Sequence, residues 1–248
     1  MAQINKGYLY QNKKVLFCLR ILDPLLYLLP KRKRPLPREI KKIALIKPDN
    51  IGDMLLLTSI VPLIHDKYPQ AVIDIVGNKW NLSILENNPH VRNRYVVNHY
   101  THNRDKISKL GKKWLFLKSY FTAIQKMKNQ EYDLCLVMRA FGNNLISFTK
   151  FMKCHYTIGH GTGGLGALLD EVVQWKEGVH EAEHFLEVLR PLGISAALKD
   201  LRYELYPSHL TMKKIDGIWN KLFTRGERVA IVHPGSGNPQ KTLSDDQW

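Results

Sequence analysis

The sequence predicts an α/β fold, a parallel sheet with helices on both faces, followed by the opening of a second α/β domain. Three observations predict it. Short, unbroken apolar runs such as IALI at 43–46 suit strands covered on both faces. These runs alternate with longer helix-patterned segments, the order that gives parallel strands and crossover helices. Near the end, an apolar run at 228–232 and the glycine-rich turn HPGSG at 233–237 start the pattern again.

The elements are expected in this order. Residues 1–42 hold eleven Lys/Arg against two Asp/Glu, a local charge of +9 within a total of +15. Within them VLFCLRILDPLLYLL, at 15–29, is apolar but carries Arg20, Asp23 and Pro24. It is too short and interrupted to span a bilayer, which takes about 20 apolar residues, and it lacks the cleavage site of a secretory signal. KRKR follows at 31–34. An apolar helix beside a polybasic cluster suits a peripheral anchor on an anionic membrane surface; a helix packed on the body with a solvated linker is the plainer alternative. Next come a strand at 43–46, a loop at 47–52 and a helix from Asp53 that ends before Pro69. Strands at 71–77, 91–97, 132–139 and 156–158 alternate with helices at 80–87, 114–128 and 143–153. A helix at 180–192 stopped by Gly193, a strand at 202–206, a helix at 210–223 and the strand at 228–232 complete the chain. The expected organisation is a basic amphipathic leader (1–39), one α/β domain (40–225) and the truncated start of another (226–248).

Composition narrows the function classes. A hydrophobic share of 44% is enough for a core. Outside residues 1–42 the chain carries only +6, which speaks against nucleic acid as a partner. Cys18, Cys135 and Cys154 are widely spaced and form no CxxC, so neither a zinc knuckle nor a disulfide framework is expected and a reducing compartment fits. Cys135, inside an apolar run, reads as a core residue.

Four motifs bear on chemistry. KPDNIGD places Asp53 at a helix N-terminus, where it serves either as a cap or as a proton-accepting carboxylate at the mouth of the sheet; Gly52 would admit a substrate close to the backbone. In HPGSGNPQK the backbone N–H groups of Gly235, Ser236 and Gly237 would form an anion nest, with Lys241 adding a charge for phosphate. GHGTGGLG at 159–166 matches GxGxxG, but it follows a short late strand and opens no clear helix, so a flexible loop is expected. HEAEH at 180–184 matches the zinc motif HExxH, yet it opens its helix and has no evident third ligand. Arg139, at a strand's carboxyl end, suits either an anionic acceptor group or an ion pair.

Taken together, these segments resemble glycosyltransferase family 9, the ADP-heptose:lipopolysaccharide heptosyltransferases. The residues that carry the resemblance are 43–77, Asn88 and Pro89, YDLCLVMR at 132–139, IGHG at 158–161, 180–194 and AIVHPGSGNPQKTLSDDQW at 230–248. The resemblance implies a GT-B fold, two Rossmann-like domains facing across a cleft, of which this chain would hold the acceptor-binding one. It implies an inverting transfer of a sugar, by family default a heptose, from a nucleotide sugar such as ADP-heptose to a lipid-linked saccharide acceptor. The transfer would need no metal or cofactor. Asp53 would be the catalytic base, Asn50, Gly52 and Arg139 would bind acceptor, and Gly235, Ser236, Gly237 and Lys241 would hold the donor diphosphate. The expected location is cytoplasmic, peripheral at the inner face of the cytoplasmic membrane. This chain alone is expected to be inactive. A zinc-dependent hydrolase built on HEAEH and a non-catalytic membrane-associated module are the alternatives.

Overall fold

In a computed structural model of the protein the described residues are 8, 13–28, 34–140, 145–224 and 226–233. The chain divides into two compact units, Met1–Tyr206 and Pro207–Trp248.

The first unit is built on a six-stranded sheet, β1 (Lys42–Ile46), β2 (Val72–Gly77), β3 (Val91–Val96), β4 (Leu134–Val137), β5 (Tyr156–His160) and β6 (Glu171–Val173). Every pair is parallel and the spatial order is β3-β2-β1-β4-β5-β6. The chain therefore winds outward from β1 to β3, crosses back along α4 (Lys109–Met127) and winds outward again from β4. The carboxyl ends of β1 and β4 are where the winding reverses, and a crevice opens at such a point because successive loops leave in opposite directions.

The unbroken apolar runs mark burial on both faces. In β1, Ile43 and Leu45 enter one core, while Ala44 and Ile46 enter the other. β4 repeats the division, with Leu134 and Leu136 on the first face and Cys135 and Val137 on the second. The first face is covered by α2 (Ile51–Thr58), α3 (Val61–Lys67) and α6 (Glu181–Leu189), the second by α4 and α5 (Ile146–Phe151).

α1 (Lys13–Leu28) packs on the turns that follow β5. Both carboxylate oxygens of Asp23 accept from the Leu165 backbone N–H, at 3.0 and 3.1 Å. Gly164 has φ +84°, and a Cβ there would lie 2.6 Å from Leu19. Where a flexible loop was expected at 159–166, Gly159 and His160 end β5 and 3-10 turns follow at Gly161–Gly163 and Gly166–Leu168, with Thr162 and Gly163 buried. One face of α1 is packed on the body, as the plainer reading had it, while Phe17, Ile21, Leu22, Leu25 and Leu28 face outward. Arg34, the last residue of KRKR, is not available to a membrane: its Nε and Nη2 donate to the two Asp170 oxygens at 3.1 and 3.0 Å. Residues 31–33 lie outside the described ones. Among the described residues no helix is long and apolar enough to cross a membrane.

Other differences have local causes. The single helix expected from Asp53 to Tyr68 is two, because Pro62 lies in the first turn of α3 and Thr58 and Ser59 bond back to Leu55 and Leu56 carbonyls at 2.7 Å. α4 begins before residue 114, capped by Ser108, whose Oγ accepts from Gly111 N at 3.0 Å. Residues 202–206 pair with no strand; isolated bonds hold them, such as Glu204 N to Thr58 Oγ1 at 3.3 Å. β6 was not expected, since three residues are too few to show a period.

In the second unit, α7 (His209–Leu222) is capped by Ser208, which accepts from Thr211 N at 3.1 Å. The expected strand at 228–232 is absent: the run has no ladder partner among the described residues, and Ile231 and Val232 are exposed.

Candidate functional site

The loop after β1 runs along the reversal point. Lys47 continues the strand by one bond, its N–H donating to Val76 O at 2.9 Å. A lysine here is enclosed by sheet and helix, and its side chain is 1% exposed. Its ammonium meets Glu181 Oε1 at 2.7 Å and Asp49 Oδ2 at 3.0 Å, and lies 4.7 Å from the centre of the Phe185 ring. Burial pushes its pKa down from the ordinary lysine value, opposed by the Glu181 charge.

Asp49 is the hub. It is buried, and besides Lys47 it pairs with Arg139 Nη1 and lies 3.5 Å from His102 Nε2. Arg139 and His102 also meet, Nη1 to Nε2 at 3.1 Å. Burial lowers the His102 pKa, so its imidazole favours the neutral form and can accept from the guanidinium. The Asp49 carbonyl accepts from the side-chain amides of Asn78 and Asn81, each at 2.9 Å. Asn78 in turn accepts from His99 N at 2.7 Å. The loop is therefore held by ion pairs through its side chains and by two asparagines through its backbone.

The next residues open outward. Asn50 is the N-cap of α2, and its backbone N–H donates to Asp53 Oδ2 at 3.0 Å. Asn50 and Gly52 are exposed, Asp53 is half-buried, and nothing lies within 4 Å of the position a Cβ on Gly52 would take. Asp53 is close enough to oppose the lowering of both the His102 and Lys47 pKa values. A half-buried carboxylate at a helix N-terminus, beside an exposed glycine, can receive a hydroxyl proton.

Of the residues singled out in the sequence, Asn50, Gly52, Asp53 and Arg139 come together here. Arg139 is at the carboxyl end of β4, but its guanidinium is paired with Asp49, so the ion-pair alternative describes its position. Gly235, Ser236, Gly237 and Lys241 lie outside the described residues. The sequence reading missed Lys47, Asp49, His102 and Glu181. Lys47 had a signal: a lysine straight after a doubly covered strand has to be paired. His102 and Glu181 had none, since their loops reach the site only through the fold.

HEAEH is not arranged as a metal motif. His180 is the N-cap of α6, its Nδ1 accepting from Ala182 N at 3.2 Å. His184 is buried against Trp175, the ring centroids 3.4 Å apart. Among the described residues no three His, Cys, Asp or Glu side chains gather as a metal site.

No family model matches the chain. Over 177 residues it is 26% identical to lipopolysaccharide heptosyltransferase 3 of Escherichia coli, which takes in 69% of this chain and 45% of that protein. Its fold is similar to a glycosyl transferase family 9 structure from Veillonella parvula, with a TM-score of 0.65, 15% identity, and coverage of 85% of this chain and 58% of the other. It is also similar to the ADP-heptose lps heptosyltransferase II of Escherichia coli, with a TM-score of 0.54, 17% identity, and coverage of 74% and 51%. The chain thus spans about half the length of the relatives it matches. In sequence and fold it is heptosyltransferase-like, and its Rossmann-like parallel sheet is that of the GT-B structures it matches.

Proposed function

We propose, from this likeness to the glycosyltransferase family 9 heptosyltransferases, that the chain is the acceptor-binding part of an inverting sugar transferase. The donor is a nucleotide sugar, ADP-heptose by the family's default, and the acceptor a lipid-linked saccharide such as a lipopolysaccharide core. The observation that carries the reading is Asp53, half-buried at the reversal point of the sheet, anchored on Asn50 N and beside the exposed Gly52.

Asp53 takes the proton of an acceptor hydroxyl as that oxygen attacks the anomeric carbon. The bond from the anomeric carbon to the diphosphate oxygen breaks on the opposite face, and the nucleoside diphosphate leaves with the bonding pair. The nest of Gly235, Ser236 and Gly237 and the ammonium of Lys241 stabilise the charge on the leaving group, so no metal ion or cofactor is needed. Asn50 and the open backbone at Gly52 border the acceptor, and Arg139 holds Asp49 and so the loop that presents Asp53. The basic leader, residues 1–39, contributes to holding the protein at the anionic inner face of the cytoplasmic membrane, where a lipid-linked acceptor offers its hydroxyl.

The test uses the full-length protein with ADP-heptose and a lipid-linked core saccharide. It should release ADP only when acceptor is present and form a glycoside of inverted anomeric configuration, read by NMR. Retention of configuration, or ADP release independent of acceptor, would overturn the reading.

A further inference from the structure

The outer surface of the second sheet face combines two properties that are normally kept apart. Helix α4 buries Tyr120, Ala123 and Met127 against the sheet. On its outer side Leu110, Trp114, Leu117 and Phe121 are 78, 62, 51 and 59% exposed. Their spacing of four, three and four residues is one continuous helical stripe. Lone exposed apolar residues need no explanation, but a stripe of four large ones indicates a contact surface.

The charge lies in the same place. Residues 104–128 hold eight Lys/Arg and one Asp, a local +7. With +9 in residues 1–42, the rest of the chain carries 15 − 9 − 7 = −1. The body is thus not evenly and weakly basic, as a single remainder of +6 suggested; a second segment holds its whole excess. α1, in the first segment, and α4, in the second, lie on one face of the sheet: α5 packs on α4 and on the turns after β5, and α1 packs on those same turns. α1 adds its own outward apolar residues, Ile21, Leu22 and Leu25 among them.

Beside the stripe, between β3 and α4, is a groove of about 240 Å³ lined by Arg94, Lys118, Ser119, Thr122 and Lys126. Lys118 Nζ lies 5.2 Å from the centre of the Trp114 ring, so a cation of the groove reaches the apolar stripe. Three cations around a small groove suit a phosphate head group, and the apolar stripe alongside suits acyl chains.

We propose that the α4 face is a docking surface for an anionic lipid bilayer. A protein partner fits less well, because lysine is depleted from the centres of protein interfaces, whereas lysines beside an apolar stripe can keep their heads among anionic head groups while their stems lie on the acyl boundary. Position supports the lipid partner. The loop that precedes α4 carries His102 into the candidate site, so Leu110 and Trp114 stand at the sheet edge where the site opens. The inference deepens the reading of a lipid-linked acceptor and rests on it for its purpose, but not for its test.

The test is co-sedimentation of the full-length protein with vesicles of phosphatidylcholine alone or mixed equally with phosphatidylglycerol, without donor or acceptor. The wild-type protein should partition at least tenfold more strongly to the mixed vesicles. The variant Trp114→Gln/Leu117→Gln/Phe121→Gln should lose at least tenfold, and so should Lys118→Glu/Lys126→Glu, since each basic residue at an anionic surface contributes about fivefold. All three substituted apolar residues are exposed, so the melting temperature should stay unchanged. Unchanged partitioning of both variants overturns the proposal, as does binding that disappears only when Lys31, Arg32 and Lys33 are replaced. A triple variant that turns a self-associating protein into a monomer while partitioning is unchanged makes the stripe a contact between copies and also overturns it. Intact vesicle binding with no sugar transfer would sink the enzymatic reading alone.

Discussion

Asp49, in the loop after β1, and Asp53, in the first turn of α2, are four residues apart, yet they are held in opposite ways. Asp49 is buried and closed in by Lys47, Arg139 and the ring of His102. Asp53 accepts one backbone N–H, from Asn50, and is only half-buried. A carboxylate compensated by two buried cations is poorly suited to take a proton, because protonation would remove the charge that both cations face. One that caps a helix at the mouth of a crevice has an oxygen to offer. The difference assigns the two carboxylates different work: Asp49 fixes the loop, and Asp53 faces what the loop presents.

The largest expected effect separates them directly. In the full-length protein Asp53→Asn should lower sugar transfer by roughly 10²–10⁴-fold, the usual range for a lost general base. Its melting temperature should barely change, because the amide oxygen can still accept from Asn50 N. Activity within a few fold of wild type would reduce Asp53 to a cap.

Asp49→Ala should show the reverse profile. It takes from Lys47 one of its two carboxylate partners and from Arg139 the carboxylate it pairs with. Breaking one side of a buried ion pair costs about 3–5 kcal/mol. Urea unfolding should register that loss, and a change below about 1 kcal/mol would mean that water reaches the network.

The same contrast explains what the sequence made legible. The sheet was readable because Ile43–Ile46 and Leu134–Val137 are buried on both faces and so contain no polar residue to confuse the period. The open half of the site was readable because Asn50, Gly52 and Asp53 are adjacent in the chain and follow a strand. The closed half was not. Its partners come from residues 102, 139 and 181, and only the sheet order, with β4 beside β1, brings them together. Helix ends were misplaced where one side-chain bond decides them, as at Ser108 and Ser59. Residues 202–206 and 228–232 have strand composition but pair with no strand among the described residues, and pairing is a property of the fold.

Glu181 sharpens the comparison from the other side. Its carboxylate is 20% exposed and shares Lys47 with Asp49. Glu181→Gln keeps a hydrogen-bond acceptor near the ammonium but removes the charge, so a loss of about 1–2 kcal/mol is expected, less than for Asp49→Ala. The two losses should not add, since both act on Lys47. A double variant with fully additive losses would show that the carboxylates act separately.

The smallest effect concerns the histidine beneath this network. His184 follows Glu181 by one helical turn, stacks on Trp175 and packs edge-on to His160. Burial lowers its pKa to about 4, with His160, Lys47 and Lys176 acting in the same direction and Glu187 against. Burial lowers His160 as well. In the unfolded chain an ordinary histidine takes its proton near pH 6.5, whereas folded His184 stays neutral until about pH 4. Between these values the unfolded state binds the extra proton, so stability is whole above about pH 6.5 and falls as the pH drops toward 4. From pH 6.5 to 5.5 the loss due to one such histidine is about 1 kcal/mol. Urea midpoints across that interval should show it, and His184→Phe, which keeps a ring against Trp175 but cannot titrate, should flatten the slope. An unchanged slope in that variant would assign the acid sensitivity to His160 or His102, and so place it closer to the closed half of the site.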